Sequence, residues 1–278
     1  MTVWYKIVDF LLPFQWAEFD FMKNALLGVL LVTPMFGLLG TLVVNNKMGF
    51  FSDALGHSAL TGIAIGVILG IKNPLWSMLG FSVILAVVIV KVKNVNTAST
   101  DTIIGVFSSI AVALGIAILS FRGGFTKYST YLIGDLLSIK SDDMLLLGVT
   151  LIVVIFIWIF LFNKLLLVSV NHSLASSRGI KINFYEYMFT IIVAVIVTVS
   201  IQWVGVLIIN SMLLLPAASA RNIAGNIRQY HVYSVLIAVF SGVSGLLLSY
   251  FLGTASGATI VLISSLFFAA TFFKKILS

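Results

Sequence analysis

Cysteine is absent from this chain, which excludes disulfides and any thiolate metal site. Charge is scarce: only 9% of the 278 residues are charged, against 60% hydrophobic, and mean hydropathy is +1.17. No soluble globular domain has that balance. The phosphate-binding pattern G-x-x-x-x-G-K-[ST] does not occur, so nothing in the chain points to ATP hydrolysis of its own. The alternating segments of a membrane barrel are missing too, because the apolar runs are continuous. The N-terminal stretch lacks a basic n-region, and Asp9, Pro13, Gln15 and Glu18 break its apolar run. Residues 1–23 therefore read as an interfacial amphipathic segment rather than a signal peptide. The net charge of +7 is no nucleic-acid footprint, since the cations fall mostly in loops and helix ends, as topology signals do.

What remains is a polytopic all-α membrane protein, because a spanning chain must satisfy its backbone internally. A span needs ~20 apolar residues. Nine segments qualify, near 24–44, 52–70, 75–92, 102–121, 142–162, 185–204, 206–220, 232–252 and 257–273. The seventh is interrupted by Pro216, which is expected to kink or break it, so the count is eight to nine. No repeat or linker divides residues 24–278, which read as one membrane domain. Lys47, Lys91, Lys93, Lys164, Arg178, Lys181, Arg221, Arg228, Lys274 and Lys275 fall on one side of this map and six basic residues on the other. The richer side is expected to be cytoplasmic, with the N-terminus outside.

The most informative segment is Ser52 to Gly70, SDALGHSALTGIAIGVILG. Asp53 and His57 are spaced i, i+4, about 40° apart on a helix, where they can hold one ion or share one proton. An ionisable pair in an apolar helix marks a functional site; the alternative is that Asp53 merely caps the helix. Ser52, Gly56, Ala59, Gly62, Gly66 and Gly70 occupy a separate arc of small residues that lets another helix approach.

Two connections stand out. Lys164 to Asn183 is the longest one on the expected cytoplasmic side; Asn171 or Ser173 could cap a short helix there and Gly179 could end it. On the other side, Arg122 to Asp143 holds Tyr128, Tyr131 and the short apolar piece YLIGDLLSI, read as a re-entrant or surface helix. Asp135 in that piece is a candidate gate or structural residue, or a further candidate metal ligand. Asp101, Asp142 and Asp143 read as helix N-caps, and His172 and His231 as surface histidines beside basic residues.

With these pieces placed, the chain resembles the membrane permeases of metal-type ATP-binding-cassette (ABC) importers. VVNNKMGFFSDALGHSALTGIAIG resembles that family's turn followed by GDA-x-SHA-x-LPG, and DTIIGVFSSIAVALGI and YLIGDLLSI its next two signatures. SVNHSLASSRGI resembles its coupling segment, and GVLIINSMLLLPAASARN its proline-broken helix. Ser52 stands where the family usually has Gly, Gly56 where it has Ser, and Thr61 where it has Pro, while Asp53 and His57 are kept.

The resemblance implies transport of zinc or manganese, less so iron, with no cofactor bound by this chain. It also implies a second copy of the permease around the path, cytoplasmic ATPase subunits docking at Lys164 to Lys181, and an extracytoplasmic metal-binding receptor. Imidazole plus carboxylate suits those metals, and a pair without sulfur ligands argues against copper(I). Asp53 and His57 would form a transient translocation site, deliberately poorer than a tight zinc site. Asn210 and Ser211 are candidate oxygen ligands or interhelical hydrogen-bonding groups. A proton-coupled secondary carrier is the rival reading, because the pair could relay a proton. A membrane metalloenzyme is disfavoured by the shortage of ligands.

Overall fold

The computed structural model describes residues 2–11, 15–95, 98–121, 136–139 and 141–277, and among these no strand occurs. The helices are α1 (Thr2–Leu11), α2 (Asp20–Asn45), α3 (Phe51–Ile68), α4 (Pro74–Val95), α5 (Thr100–Phe121), α6 (Ser141–Val170), α7 (His172–Ser177), α8 (Ile182–Val204), α9 (Val206–Ile223), α10 (Ile227–Leu252) and α11 (Ser256–Leu277). Among the described residues, eight are long and apolar enough to cross a membrane: α2 to α6, α8, α10 and α11. The seventh expected span exists as α9, but its 18 residues include Asn210, Arg221 and Asn222, and it is not one of the eight.

The chain divides into two compact units, each assembled from separate stretches of sequence. The unit formed by Leu42–Gly134 and Ile157–Asn210 is built around α3, which packs on α4, α5 and α8, while α4 also packs on α8. Small residues make these approaches possible. A Cβ on Gly62 would lie 2.7 Å from the Cα of Met78 on α4, and one on Gly66 would meet the Ser77 side chain. From α5, Gly115 abuts Thr61, whose hydroxyl donates to the Ala111 carbonyl. The small-residue arc read from the sequence is therefore the α4-facing side of α3 over Gly62 and Gly66, whereas Gly56 meets Val206 and Gly70 faces open space. Between α4 and α8, Thr198 donates a buried 2.8 Å hydrogen bond to Ser82.

The other unit comprises Met1–Thr41, Asp135–Phe156 and Ser211–Ser278. Here Ser234 on α10 donates to the Gly37 carbonyl of α2 over 2.7 Å, and α11 packs along α10. The N-terminal segment is clamped to the start of α2. Lys23, only 6% exposed, pairs with Asp9 at 2.7 Å; Trp4 Nε1 donates to the Lys23 carbonyl, and Tyr5 donates to Asn24.

The structure relocates one discontinuity. Pro216 sits inside an unbroken α9; the break falls at Gly205, the single residue between α8 and α9. Pro216 deprives only the Met212 carbonyl of its partner, whereas Gly205 has φ +80°, a backbone conformation that a side chain opposes. Tyr128, Tyr131 and Asp135 lie outside the described residues. The end of their segment, the 3-10 turn Leu136–Ser138 and Ile139, has Leu136 and Ile139 buried and packs on α11.

Candidate functional site

Phe50 precedes the first turn of α3 and makes no side-chain cap, so Asp53 is the third helical residue and not the N-cap. Its negative charge still sits where the helix dipole favours it. One turn on, His57 brings Nε2 to 3.4 Å from Asp53 Oδ1, with 47% of the His57 and 37% of the Asp53 side chain exposed. Thirteen of the 18 residues of α3 are buried, so this pair is the open polar part of a largely enclosed helix. Imidazole nitrogen and carboxylate oxygen at that separation can share one cation or one proton, and the exposure leaves room for either to reach them.

The neighbours refine the picture. Ser52 donates a 2.8 Å hydrogen bond to Asn210 Oδ1, which commits Asn210 to an interhelical bond one residue from Asp53 in sequence. Ser211 belongs to the other unit and is half-buried there. Among the described residues no group of three or more histidine, cysteine or carboxylate side chains could hold a metal ion, and Asp53 and His57 stand as a pair.

Asp101 is a residue whose place the sequence did not reveal. It was expected to cap α5, but Ser99 does so: its Oγ accepts the Thr102 N–H at 3.2 Å and pairs with the Thr102 hydroxyl at 2.7 Å. Asp101, released from that duty, lines an open cavity of about 470 Å³ together with Asp53, Thr102, Ser108 and Ser109. Two carboxylates and three hydroxyls give this cavity a polar side, beside Phe50, Ala54 and Ile104.

A second cluster joins α4, α7 and α8. Asn171 caps α7, its Oδ1 accepting the Leu174 N–H at 2.9 Å, and Gly179 follows with φ +71°. Both were legible as helix boundaries. Glu186 was not: its side chain is 6% exposed, bonded to Lys93 Nζ at 3.2 Å and 3.5 Å from His172 Nε2. His172 is exposed as expected, whereas His231 is only 7% exposed. The reason is that α10 starts at Ile227, capped by Asn226, which puts His231 in its second turn beside the Tyr230 ring, 5.4 Å between centroids. In α6, which begins at Ser141, Asp142 and Asp143 fall inside the first turn rather than at the cap.

Eight helices fit to cross a membrane among the described residues, an exposed Asp–His pair on one of them and a capped short helix between two long ones define the class: a polytopic membrane protein. The chain matches the ABC 3 transport family over residues 18–275 and belongs to it. It is 33% identical over 258 residues to the high-affinity zinc uptake system membrane protein ZnuB of Haemophilus influenzae, covering 92% of this chain and 98% of that one. Identity to the manganese import system permease protein ScaB of Streptococcus gordonii is also 33%, over 257 residues and 92% of each chain. Among solved structures, PsaBC from Streptococcus pneumoniae in complex with Fab superposes with a TM-score of 0.79 at 28% identity, over 98% of this chain and 95% of that one. The chain is a transport subunit and a multi-pass protein of the bacterial plasma membrane.

Proposed function

We propose that this chain is the permease of an ATP-driven importer that carries zinc or manganese ions into the cytoplasm, with Asp53 and His57 as the transient resting point of the ion. The observation that carries the reading is the exposed pair itself. Two ligands bind a divalent ion weakly enough for it to leave, and an importer path needs release as much as capture. Neutral His57 would offer one nitrogen to the ion, Asp53 would supply a hard oxygen and partial charge compensation, and water would fill the remaining positions. The cavity shared by Asp53 and Asp101 would keep the ion hydrated on one side of the pair.

The wider assembly follows from the same reading. Hydrolysis belongs to separate ATPase subunits, which dock on α7 and its flanks between Lys164 and Lys181. Two permease copies line the path and an extracytoplasmic receptor delivers the ion. Glu186 would tie α7 to α4 and α8, so that a push on α7 reaches the helices packed against α3. Support for these roles comes from family membership and from the short, capped, mostly exposed α7. The test is uptake of each metal into vesicles holding permease, ATPase and receptor, with and without ATP. Accumulation driven by a proton gradient without ATP would instead favour a secondary carrier.

A further inference from the structure

We propose that the cationic pocket formed by α6, the turn after α7 and the start of α8 binds the headgroup of an anionic glycerophospholipid. The pocket encloses about 490 Å³, and its walls include Lys164, Arg178, Lys181, Phe184 and Tyr185. Three cations and no acid face it. The acid next in sequence, Glu186, is buried against Lys93 and His172 and leaves the pocket's charge uncompensated. Lys164 Nζ lies 5.8 Å from the centre of the Tyr185 ring, which holds the ammonium at the pocket wall. Arg178 and Lys181 flank Gly179, whose φ of +71° turns the chain between them.

The second half of the inference is apolar. Lys164 sits six residues, about 9 Å of helix, before α6 ends at Val170. One turn further in, on the same face, Phe160 is 63% exposed, and Phe184 at the pocket mouth is 60% exposed. A phosphate could satisfy the cations, Arg178 by a forked pair of hydrogen bonds. Only a ligand that also carries acyl chains would cover Phe160, and basic pockets at the ends of membrane helices suit such headgroups. An acidic segment of a soluble partner would meet the cations but leave the apolar face of α6 bare, so the observations favour lipid. This reading needs neither metal nor transport, but its three cations lie in the Lys164 to Lys181 segment where the ATPase is proposed to dock, so lipid retention and ATPase pull-down are read separately.

The experiment uses the full chain purified in neutral detergent, beside a Lys164→Gln, Arg178→Gln, Lys181→Gln variant. Each is mixed with phosphatidylglycerol, phosphatidylcholine or inorganic phosphate, and bound lipid is read by native mass spectrometry alongside the melting temperature. The expected result is selective retention of phosphatidylglycerol, reduced at least tenfold in the variant, with no shift from inorganic phosphate. Should the triple variant fail to fold, Arg178→Gln alone, in an exposed turn, is expected to weaken retention in the same direction. Equal retention of the two lipids, or unchanged retention in the folded variants, overturns the proposal. So does stabilisation by inorganic phosphate that matches the lipid, which would make this a free-anion site. A variant that keeps phosphatidylglycerol but no longer pulls down the ATPase would assign the pocket to a protein partner instead.

Discussion

Replacing Gly62 tests whether the approach of α3 to α4 is set by backbone contact. A Cβ at Gly62 would sit 2.7 Å from Met78 Cα, 3.1 Å from the Ser77 carbonyl oxygen and 3.2 Å from Met78 N. All three are backbone atoms, so no rotamer change relieves the clash. Carbon atoms prefer about 3.5–4.0 Å, so the helices must part by roughly 1 Å even for alanine. Overpacking of this kind costs about 1–3 kcal/mol, and alanine's better helix propensity offsets about 1 kcal/mol of it. Gly62→Ala should therefore be mildly destabilising and Gly62→Leu more so, at the upper end of that range or beyond. Gly80, on α4, is the control: a Cβ added there would have nothing within 4 Å, so Gly80→Ala should be neutral or stabilising. Thermal unfolding of the purified protein reads the difference, at about 2–4 °C per kcal/mol. Wild-type melting of Gly62→Leu, or equal losses in Gly62→Ala and Gly80→Ala, would refute the packing argument.

Further outcomes follow from the other sites. Leu174→Pro removes the N–H that Asn171 Oδ1 accepts, and Asn171→Ala removes the acceptor, at about 1 kcal/mol for the cap; both should weaken ATPase pull-down and receptor-stimulated hydrolysis while the permease still inserts. Glu186→Gln keeps the side chain's shape but leaves Lys93 without its counter-charge. Its expected cost is about 3 kcal/mol at most, because Lys93 retains 22% exposure, and calorimetry or thermal melting checks it. Asp101→Asn should slow metal uptake several-fold less than Asp53→Asn, since Asp101 lines the cavity without belonging to the pair. Equal loss in the two variants would make Asp101 a direct ligand.

Much of this is readable from local pattern. The Asp53–His57 pair follows from i, i+4 spacing, the α3–α4 approach from glycines at Gly62 and Gly66, and the ends of α7 from Asn171 and Gly179. These signals are local because a helix fixes which residues share a face within two turns. The features that escape depend on chain segments far apart or on competing local signals. Glu186 meets Lys93 across 93 positions, and no periodicity announces that pair. Asp101 reads as a cap, yet Ser99, two residues earlier, competes for the same role and wins. His231 reads as a loop residue because Arg221 and Arg228 make its surroundings look solvated, although Asn226 starts a helix just before it. Pro216 looks the stronger breaker, yet a helix held by packing tolerates one missing N–H, while the φ of +80° at Gly205 ends α8 outright.

The central claim is that Asp53 and His57 handle the transported ion. Its most direct test is zinc and manganese uptake by vesicles containing the ATPase, the receptor and either wild-type permease, Asp53→Asn or His57→Ala. Both side chains are more than a third exposed and fill no packed interface, so the variants should melt and bind the ATPase as the wild type does. The account predicts that each nonetheless loses uptake by roughly tenfold or more. Normal uptake in both variants would contradict it.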